Sequence, residues 1–167
     1  MKIRTLFITL LAALGLAGCF TSSKPLFSDD QTVAPYARIT FAKHGDTDKK
    51  TVLTREGKGY VTRTKDGTMT MRFLPVGDGL YVAESTAEQE GQSLRLYGVV
   101  KLDPAKHLAM TYKTIARDGD IAPGLPACKA GKTDTVCIED INAYVALAKA
   151  AIAAGAKPDT VYDVTLE

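Results

Sequence analysis

Three cysteines are the residues whose chemistry the sequence suggests most directly. Cys19 ends an almost uninterrupted apolar run, Thr5 to Ala17, which follows the positive charges of Lys2 and Arg4. A charged start and an apolar run of this kind are typical of a secretory signal. At about 13 residues the run is shorter than the roughly 20 that a bilayer-spanning helix needs. The pattern therefore predicts an export signal, residues 1–18, with the Cys19 thiol at its end.

The four residues Leu16-Ala17-Gly18-Cys19 resemble the lipobox of bacterial lipoproteins. The resemblance covers about the first 20 residues. It implies that Cys19 receives a diacylglyceryl thioether, that the bond between Gly18 and Cys19 is cut, and that the new amino terminus is acylated. Because Phe20 rather than Asp follows the cysteine, the resemblance favours the periplasmic face of the outer membrane. The alternative is an ordinary signal peptide cut elsewhere, with Cys19 unmodified.

The charge balance limits the partners that we expect for the mature chain. The sequence carries 21 Lys and Arg against 19 Asp and Glu, and removal of residues 1–18 takes away Lys2 and Arg4, which leaves 19 against 19. A balanced chain does not attract nucleic acid through its overall field, so none is expected as a partner. The expected partners are the membrane, through the lipid on Cys19, and an envelope protein or polymer.

The other two cysteines are Cys128 and Cys137. In an oxidising compartment an even pair in a loop-rich stretch typically forms a disulfide. Closing a loop of about 10 residues stabilises a fold by roughly 2.5 to 3 kcal/mol. The alternatives are a metal pair or a reactive thiol, but no His lies nearby and the spacing CKAGKTDTVC matches neither a CxxC redox motif nor a zinc knuckle. We predict a structural disulfide.

Groups suited to catalysis are sparse in this sequence. After residue 35 the chain has two serines, Ser85 and Ser93, and no Gly-x-Ser-x-Gly motif. Candidate cation ligands occur in two short segments, His44-Gly45-Asp46-x-Asp48 and Asp118-Gly119-Asp120, each with too few ligands for a site. A pair of carboxylates for glycoside chemistry would have to come from Glu84, Glu88 and Glu90. We predict no catalytic residue, no metal site and no cofactor.

Positive charge is concentrated in segment 43–65, which holds seven basic residues against three acidic ones. From these residues we predict a patch for anionic surfaces that consists of Lys49, Lys50, Arg55 and Lys58. Such a patch binds lipid headgroups, lipopolysaccharide phosphates or an acidic protein. The alternative is a solvated exterior whose lysines guard strand edges.

The elements that would position these residues are mainly strands. Apolar residues alternate with polar ones around residues 37–41 and 69–73, and this period of two is typical of strands with one buried face. Further apolar segments bring the expected number to about eight. The connections include Glu56-Gly57-Lys58-Gly59, Lys65-Asp66-Gly67 and Gly77-Asp78-Gly79. Short turns of this type favour an antiparallel meander.

One helix is expected, from Ile138 to about Ala154, because apolar residues recur there at helical spacing. Gly155 and Pro158 provide the stop signal, and Thr160 to Leu166 returns as a strand. The predicted fold is therefore mainly β: about eight antiparallel strands in a curled sheet or small barrel, with the helix packed on it before a final strand. This order resembles that of lipocalins in topology only, because the chain has no Trp for their Gly-x-Trp signature.

The predicted organisation is a signal peptide at 1–18, a flexible tether at 19–35, and a single β-rich domain at 36–167. We expect a non-catalytic, membrane-anchored envelope lipoprotein that acts as a binding or structural module. One alternative is a carrier of a small hydrophobic ligand, and another is an inhibitor of a periplasmic or host hydrolase. The carrier's lumen would be lined by Met69, Met71, Phe73, Leu94, Leu96, Leu108, Met110 and Tyr112.

Overall fold

A computed structural model describes residues 20–22, 24–64, 67–89, 92–112 and 136–167. The strands are β1 (Phe20–Thr21), β2 (Arg38–Lys43), β3 (Asp46–Glu56), β4 (Gly59–Thr64), β5 (Gly67–Gly77), β6 (Leu80–Gln89), β7 (Gln92–Asp103), β8 (Leu108–Tyr112), β9 (Val136–Cys137) and β10 (Thr160–Leu166). The helix α1 spans Ile141–Ala153 and a 3-10 turn spans Asp29–Gln31.

Eight of these strands form a closed antiparallel barrel, which confirms the predicted fold class. Strands β2 to β8 follow one another as a meander, and β6 also pairs with β7. The last strand, β10, lies between β8 and β2 and completes the ring. The short strand β1 pairs with β7 at Tyr97 and Leu96, where β8 has ended, and β9 pairs in parallel with β1.

Alternation along the strands divides the apolar side chains between two cores. In β5, Met69, Met71 and Phe73 face the barrel interior, as the period of two predicts. They pack in the first core with Ile39, Leu53, Tyr60, Ala83, Val100, Ala109, Tyr162 and Val164. The second core lies outside the barrel wall, between the wall and α1, and contains Phe27, Leu80, Val82, Tyr97, Val99, Tyr112, Ile138, Tyr144 and Ala148.

Helix α1 begins three residues later than the predicted start at Ile138. Asp140 is its N-cap, and its carboxylate accepts hydrogen bonds from the backbone N–H groups of Asn142 at 2.8 Å and Ala143 at 3.4 Å. The helix ends at Ala153, and Gly155 adopts a φ of 90°, a conformation that favours glycine. Tyr144 and Ala148 form its buried face, in agreement with the predicted spacing.

The segment of residues 24–35, which we call the strap, lies against the outer wall of the barrel. Its composition predicts a flexible tether, yet Phe27 and Thr32 are buried in it. The N–H of Val33 donates to the carbonyl of Phe73 at 3.0 Å, and the Thr32 hydroxyl lies 3.1 Å from the carbonyl of Lys58. In this segment apolar burial and specific hydrogen bonds outweigh the polar composition from which we predicted a tether.

Candidate functional site

The most organised polar site in the described residues lies on the outer wall of β5, β6 and β7, beneath the strap. Arg72 pairs with Glu84 in the register of β5 and β6, and Glu84 pairs with Tyr97 in the register of β6 and β7. The three side chains therefore stand side by side across three neighbouring strands. We call this row of Arg72, Glu84 and Tyr97 the clamp.

The clamp is closely hydrogen-bonded and centred on a buried carboxylate. Glu84 is 2% exposed. Its Oε1 accepts from Arg72 Nε at 2.9 Å and from Arg72 Nη2 at 2.6 Å, and its Oε2 accepts from the Tyr97 hydroxyl at 2.5 Å. Glu84 thus accepts three hydrogen bonds, two of them from Arg72 on one oxygen. Pairing with a cation and a further donor is the condition for a buried charge to be tolerated away from water.

The strap supplies the groups that cover the clamp. The N–H of Leu26 donates to the Tyr97 hydroxyl oxygen at 3.3 Å, and the Arg72 guanidinium forms an ion pair with Asp29. Arg72 Nη2 also donates to the carbonyl of Phe27 at 3.3 Å, and its Cζ lies 5.1 Å from the centre of the Phe27 ring. The Phe27 ring meets the Tyr97 ring edge to face with centroids 6.2 Å apart. The strap is thus fixed to the wall by charge, hydrogen bonds and apolar contact together.

The protonation states in the clamp follow from this burial. Burial, and then the hydrogen bond to Glu84, raises the pKa of the Tyr97 hydroxyl well above its usual range. Burial alone would lower the pKa of the Arg72 guanidinium, but its hydrogen bonds to Glu84 and Asp29 raise it overall. Tyr97 therefore remains a neutral donor and Arg72 a cation under ordinary conditions. Each of these groups is engaged by another, and together they attach the strap to the wall.

Two cavities are lined in part by residues of the strap. An apolar cavity of about 30 Å³ lies at the end of the barrel where the strap leads into β2, with Pro35, Tyr36, Phe41, Tyr60 and Tyr81 among its lining residues. Two of these lining residues are joined, because the Tyr36 N–H donates to the Tyr60 hydroxyl and that hydroxyl donates to the Tyr36 carbonyl, at 3.2 Å each. This volume holds about one water molecule, whereas pockets for drug-sized ligands measure about 300–1,000 Å³.

The second cavity is a surface cleft of about 330 Å³ next to the clamp. It lies between the strap and the turn from β3 to β4, and its charged lining residues are Asp29, Glu56, Lys58 and Arg72. Arg72 is engaged by Glu84 and Asp29, and Glu56 is engaged by Arg63. The cleft has room for a small polar group, but its charges of both signs give no preference for an anion or a cation.

The predicted modification sites lie outside the described residues. Gly18, Cys19 and Cys128 are not among the described residues. Of Cys137 only the backbone, in β9, is described. Lipidation at Cys19 and the disulfide between Cys128 and Cys137 therefore stay predictions.

The predicted basic patch consists of two separate pairs. All four side chains, Lys49, Lys50, Arg55 and Lys58, are exposed. Lys49 and Lys50 lie in the first half of β3, while Arg55 is near its end and Lys58 is in the following turn. From Lys50 to Arg55 the strand rises about 16 Å, at roughly 3.3 Å per residue. The two pairs are therefore separated along the strand and do not form one continuous patch.

The other candidate residues are dispersed. His44 Nδ1 lies 2.8 Å from Asp163 Oδ1 at the surface, and the described residues contain no cluster of three metal-ligating side chains. Ser85 is fully buried in the barrel wall without a hydrogen-bond partner for its hydroxyl among the residues described. Asp118, Asp120 and Glu90 lie outside the described residues, as does the side chain of Glu88. Glu84 is engaged by Arg72 and is not available as half of a carboxylate pair.

The proposed lumen residues are divided between the two cores. Met69, Met71 and Phe73 are buried in the interior core, and Leu96 packs against it. Tyr112 and Met110 instead belong to the core beneath α1, so the expectation that they line a lumen is wrong. They fall on the outer face because Ala109 faces inward and side chains alternate along β8. The side chain of Leu94 lies outside the described set, and Leu108 is half-buried.

Arg72, Tyr97, Asp29 and Phe27 were not singled out from the sequence. The alternation in β5 places Arg72 on the outer face, where a charged residue normally meets solvent. The one available signal was the pair Leu26-Phe27, two large apolar residues within a polar segment. From that pair one could have predicted that the strap has a buried apolar anchor.

No helix among the described residues is long and apolar enough to span a membrane. Comparison with family models, curated proteins and solved structures finds no match for this chain.

Proposed function

We propose that this protein is a non-catalytic lipoprotein of the bacterial envelope, in which a side-chain-filled barrel is held close to the membrane and acts as a binding or structural module. The observation that carries the proposal is the clamped strap. The strap begins five residues after Cys19, and the clamp holds it on the barrel wall through Leu26, Phe27 and Asp29. A protein that had to move freely on a long tether would gain nothing from a buried charged residue, Glu84, that helps to hold the strap on the barrel.

The distance between anchor and barrel follows from the chain length. Leu26 is the seventh residue after Cys19, and an extended chain spans at most about 3.3–3.6 Å per residue. The lipid on Cys19 therefore lies within about 25 Å of the clamp. The pairing of Phe20 with Tyr97 on β7 brings the anchor closer still. In this proposal the barrel rests near the headgroups in a restricted orientation.

The carrier alternative receives less support from the interior. Met69, Met71, Phe73 and their neighbours fill the barrel, and the apolar cavity of about 30 Å³ is too small for a hydrophobic ligand. Small eight-stranded barrels are commonly just wide enough for side chains to fill them. No observation in the described residues points to an inhibitory loop, so the inhibitor alternative is not developed.

Mass spectrometry of the mature protein from membranes of a bacterial host tests the proposal. The expected product begins at Cys19 and carries the mass of a diacylglyceryl group and an additional acyl chain. The matched control is Cys19→Ser, which should leave the protein unlipidated and out of the membrane fraction. A wild-type product of unmodified mass, or one that begins at another residue, would contradict the proposal.

A further inference from the structure

The pairing between β3 and β4 covers only the last three residues of β3 and the first three residues of β4. Their recorded pairs are Glu56 with Gly59, Arg55 with Tyr60, and Thr54 with Val61. Beyond Thr54, β3 continues to pair with β2, and beyond Val61, β4 continues to pair with β5. Within the described residues no pair joins β3 to β4 past this point. We call this gap the seam.

The direction of the backbone groups shows which of them face the seam. The N–H of Arg55 donates to the carbonyl of Ala37 at 2.9 Å, on the β2 side of β3. Backbone groups alternate in direction along a strand, so those of Leu53 also point to β2, while those of Thr54 and Val52 point to β4. Val52 and Arg63 would form the next rung after Thr54 and Val61. The N–H and carbonyl groups of both residues therefore point into the seam.

The outer surface beside these groups carries two basic side chains. The Val52 side chain is 42% exposed, more than any other large apolar side chain among the described residues. By alternation from the inward-facing Leu53 and Tyr60, Lys50 and Arg63 point outward on either side of the gap. Arg63 is engaged by Glu56 in an exposed pair that a second carboxylate can join or replace. The acids Asp46 and Asp48 lie farther along β3, toward the turn from β2.

We propose that the seam binds an extended acidic segment of a partner protein by strand addition, with its backbone paired to Val52 and Arg63 and its carboxylates near Lys50 and Arg63. Unpaired strand edges are a common place for peptides to add. The proposal gives the binding module described above a site and a kind of partner. It rests on that proposed function for its biological setting but not for its geometry. Lipidation is tested at Cys19 and strand addition at Val52, so failure of one leaves the other standing.

Two proline variants test the seam without any ligand. Proline has no N–H, so it removes a hydrogen bond only where that N–H was used. Thr54→Pro breaks the rung with Val61 and should lower Tm by at least about 6 °C. Val52→Pro removes a group that points into the gap and should change Tm by no more than about 2 °C. Equal losses in both variants would overturn the proposal.

A peptide titration tests the partner. The probe is an eight-residue peptide of alternating valine and glutamate, added to the mature, isotope-labelled protein in detergent and followed by NMR. We expect saturable shifts of the Val52 and Arg63 amide signals. A control peptide of alternating valine and lysine should bind at least about 10-fold more weakly. Methylation of every second amide of the glutamate peptide should abolish binding.

The Val52→Pro variant provides the matched control, and it should bind the glutamate peptide at least about 10-fold more weakly than wild type. Three outcomes would overturn the proposal. The first is absence of saturable shifts at Val52 up to 1 mM peptide, at roughly the weak end of specific binding. The second is unchanged affinity of Val52→Pro. The third is a concentration-dependent shift of Val52 without peptide, which would assign the seam to a second copy of this chain.

Discussion

Two Arg–Glu pairs stand on the outer surface of the same barrel. Arg72 and Glu84 are 20% and 2% exposed, and the strap covers them. Arg63 and Glu56 are 62% and 47% exposed, and Arg63 lies beside the seam. The distances are equally short, 2.6 Å in each case. The two pairs differ chiefly in what lies above them.

This comparison shows that the energetic importance of an ion pair depends on its cover more than on its length. Water screens the exposed pair, so its loss matters little. The covered pair has exchanged water for specific partners, and removing one partner leaves a charge buried without compensation. The strap thus converts an ordinary cross-strand pair into an attachment point, while the wall at the seam stays available for binding. The following predictions test this difference, from the largest effect to the smallest.

Loss of the arginine in the clamp should have the largest effect. Arg72→Met leaves Glu84 buried and unpaired, and we expect the free energy of unfolding to fall by about 3–5 kcal/mol. Urea unfolding followed by circular dichroism measures this change. The matched control, Arg63→Met, removes the exposed arginine and should cost no more than about 1 kcal/mol. Similar losses in the two variants would show that the strap does not distinguish the pairs.

Removal of the apolar anchor of the strap should rank second. Phe27 is 4% exposed, and Phe27→Ala should lower the free energy of unfolding by about 3 kcal/mol, at the low end for a buried phenylalanine because the strap can detach instead. Val52→Ala, at the exposed valine beside the seam, is the control and should change stability by about 0.5 kcal/mol or less. If Val52→Ala were the more damaging substitution, our assignment of the covered and open walls would be reversed.

Deletion of one hydroxyl should have a smaller effect. Tyr97→Phe keeps the ring that meets Phe27 but removes the donor to Glu84 and the acceptor for the N–H of Leu26. Since hydrogen bonds to charged groups contribute about 1.5–3 kcal/mol, we expect a loss in that range in the same urea experiment. A variant as stable as wild type would mean that Glu84 does not depend on this donor.

The pH dependence of stability sharpens the same point. Tyrosine in the unfolded chain ionises near pH 10, whereas burial and Glu84 raise the pKa of Tyr97 in the folded protein. The folded state therefore keeps a proton that the unfolded state loses, and stability decreases as pH rises above about 10. Tyr97→Phe should lose stability less steeply, by up to about 1.4 kcal/mol per pH unit. Urea unfolding at several pH values between 9 and 11 measures both slopes, and equal slopes would contradict the burial of this hydroxyl.

The sequence predicted much of the barrel because its signals are local. The alternation of Met69, Met71 and Phe73 is visible within five residues, and the turn at Gly77-Asp78-Gly79 needs only its own residue types. Helix α1 was predicted from its apolar spacing, with an error of three residues at its start because Asp140 caps it from outside.

The clamp and the seam could not be predicted in the same way. Arg72 and Glu84 are twelve residues apart, and they meet only because β5 and β6 pair in one particular register. The cover over them depends on Phe27, which lies in a segment of polar composition. At the seam, the pairing of β3 with β4 ends after Thr54 and Val61, and the residue types of Val52 and Arg63 do not indicate this end.

Hydrogen exchange of individual amides in the mature protein, purified from membranes in mild detergent, tests the central claim most directly. The account predicts slow exchange at Leu26, whose N–H is donated to the covered Tyr97 hydroxyl, and exchange at least about 100-fold faster at Val52, whose N–H points into the seam. Rapid exchange at Leu26 would show that the strap is a free tether, and protection of Val52 equal to that of Leu26 would show that the seam is closed. Either result would contradict the division of the barrel into a clamped wall and an open one.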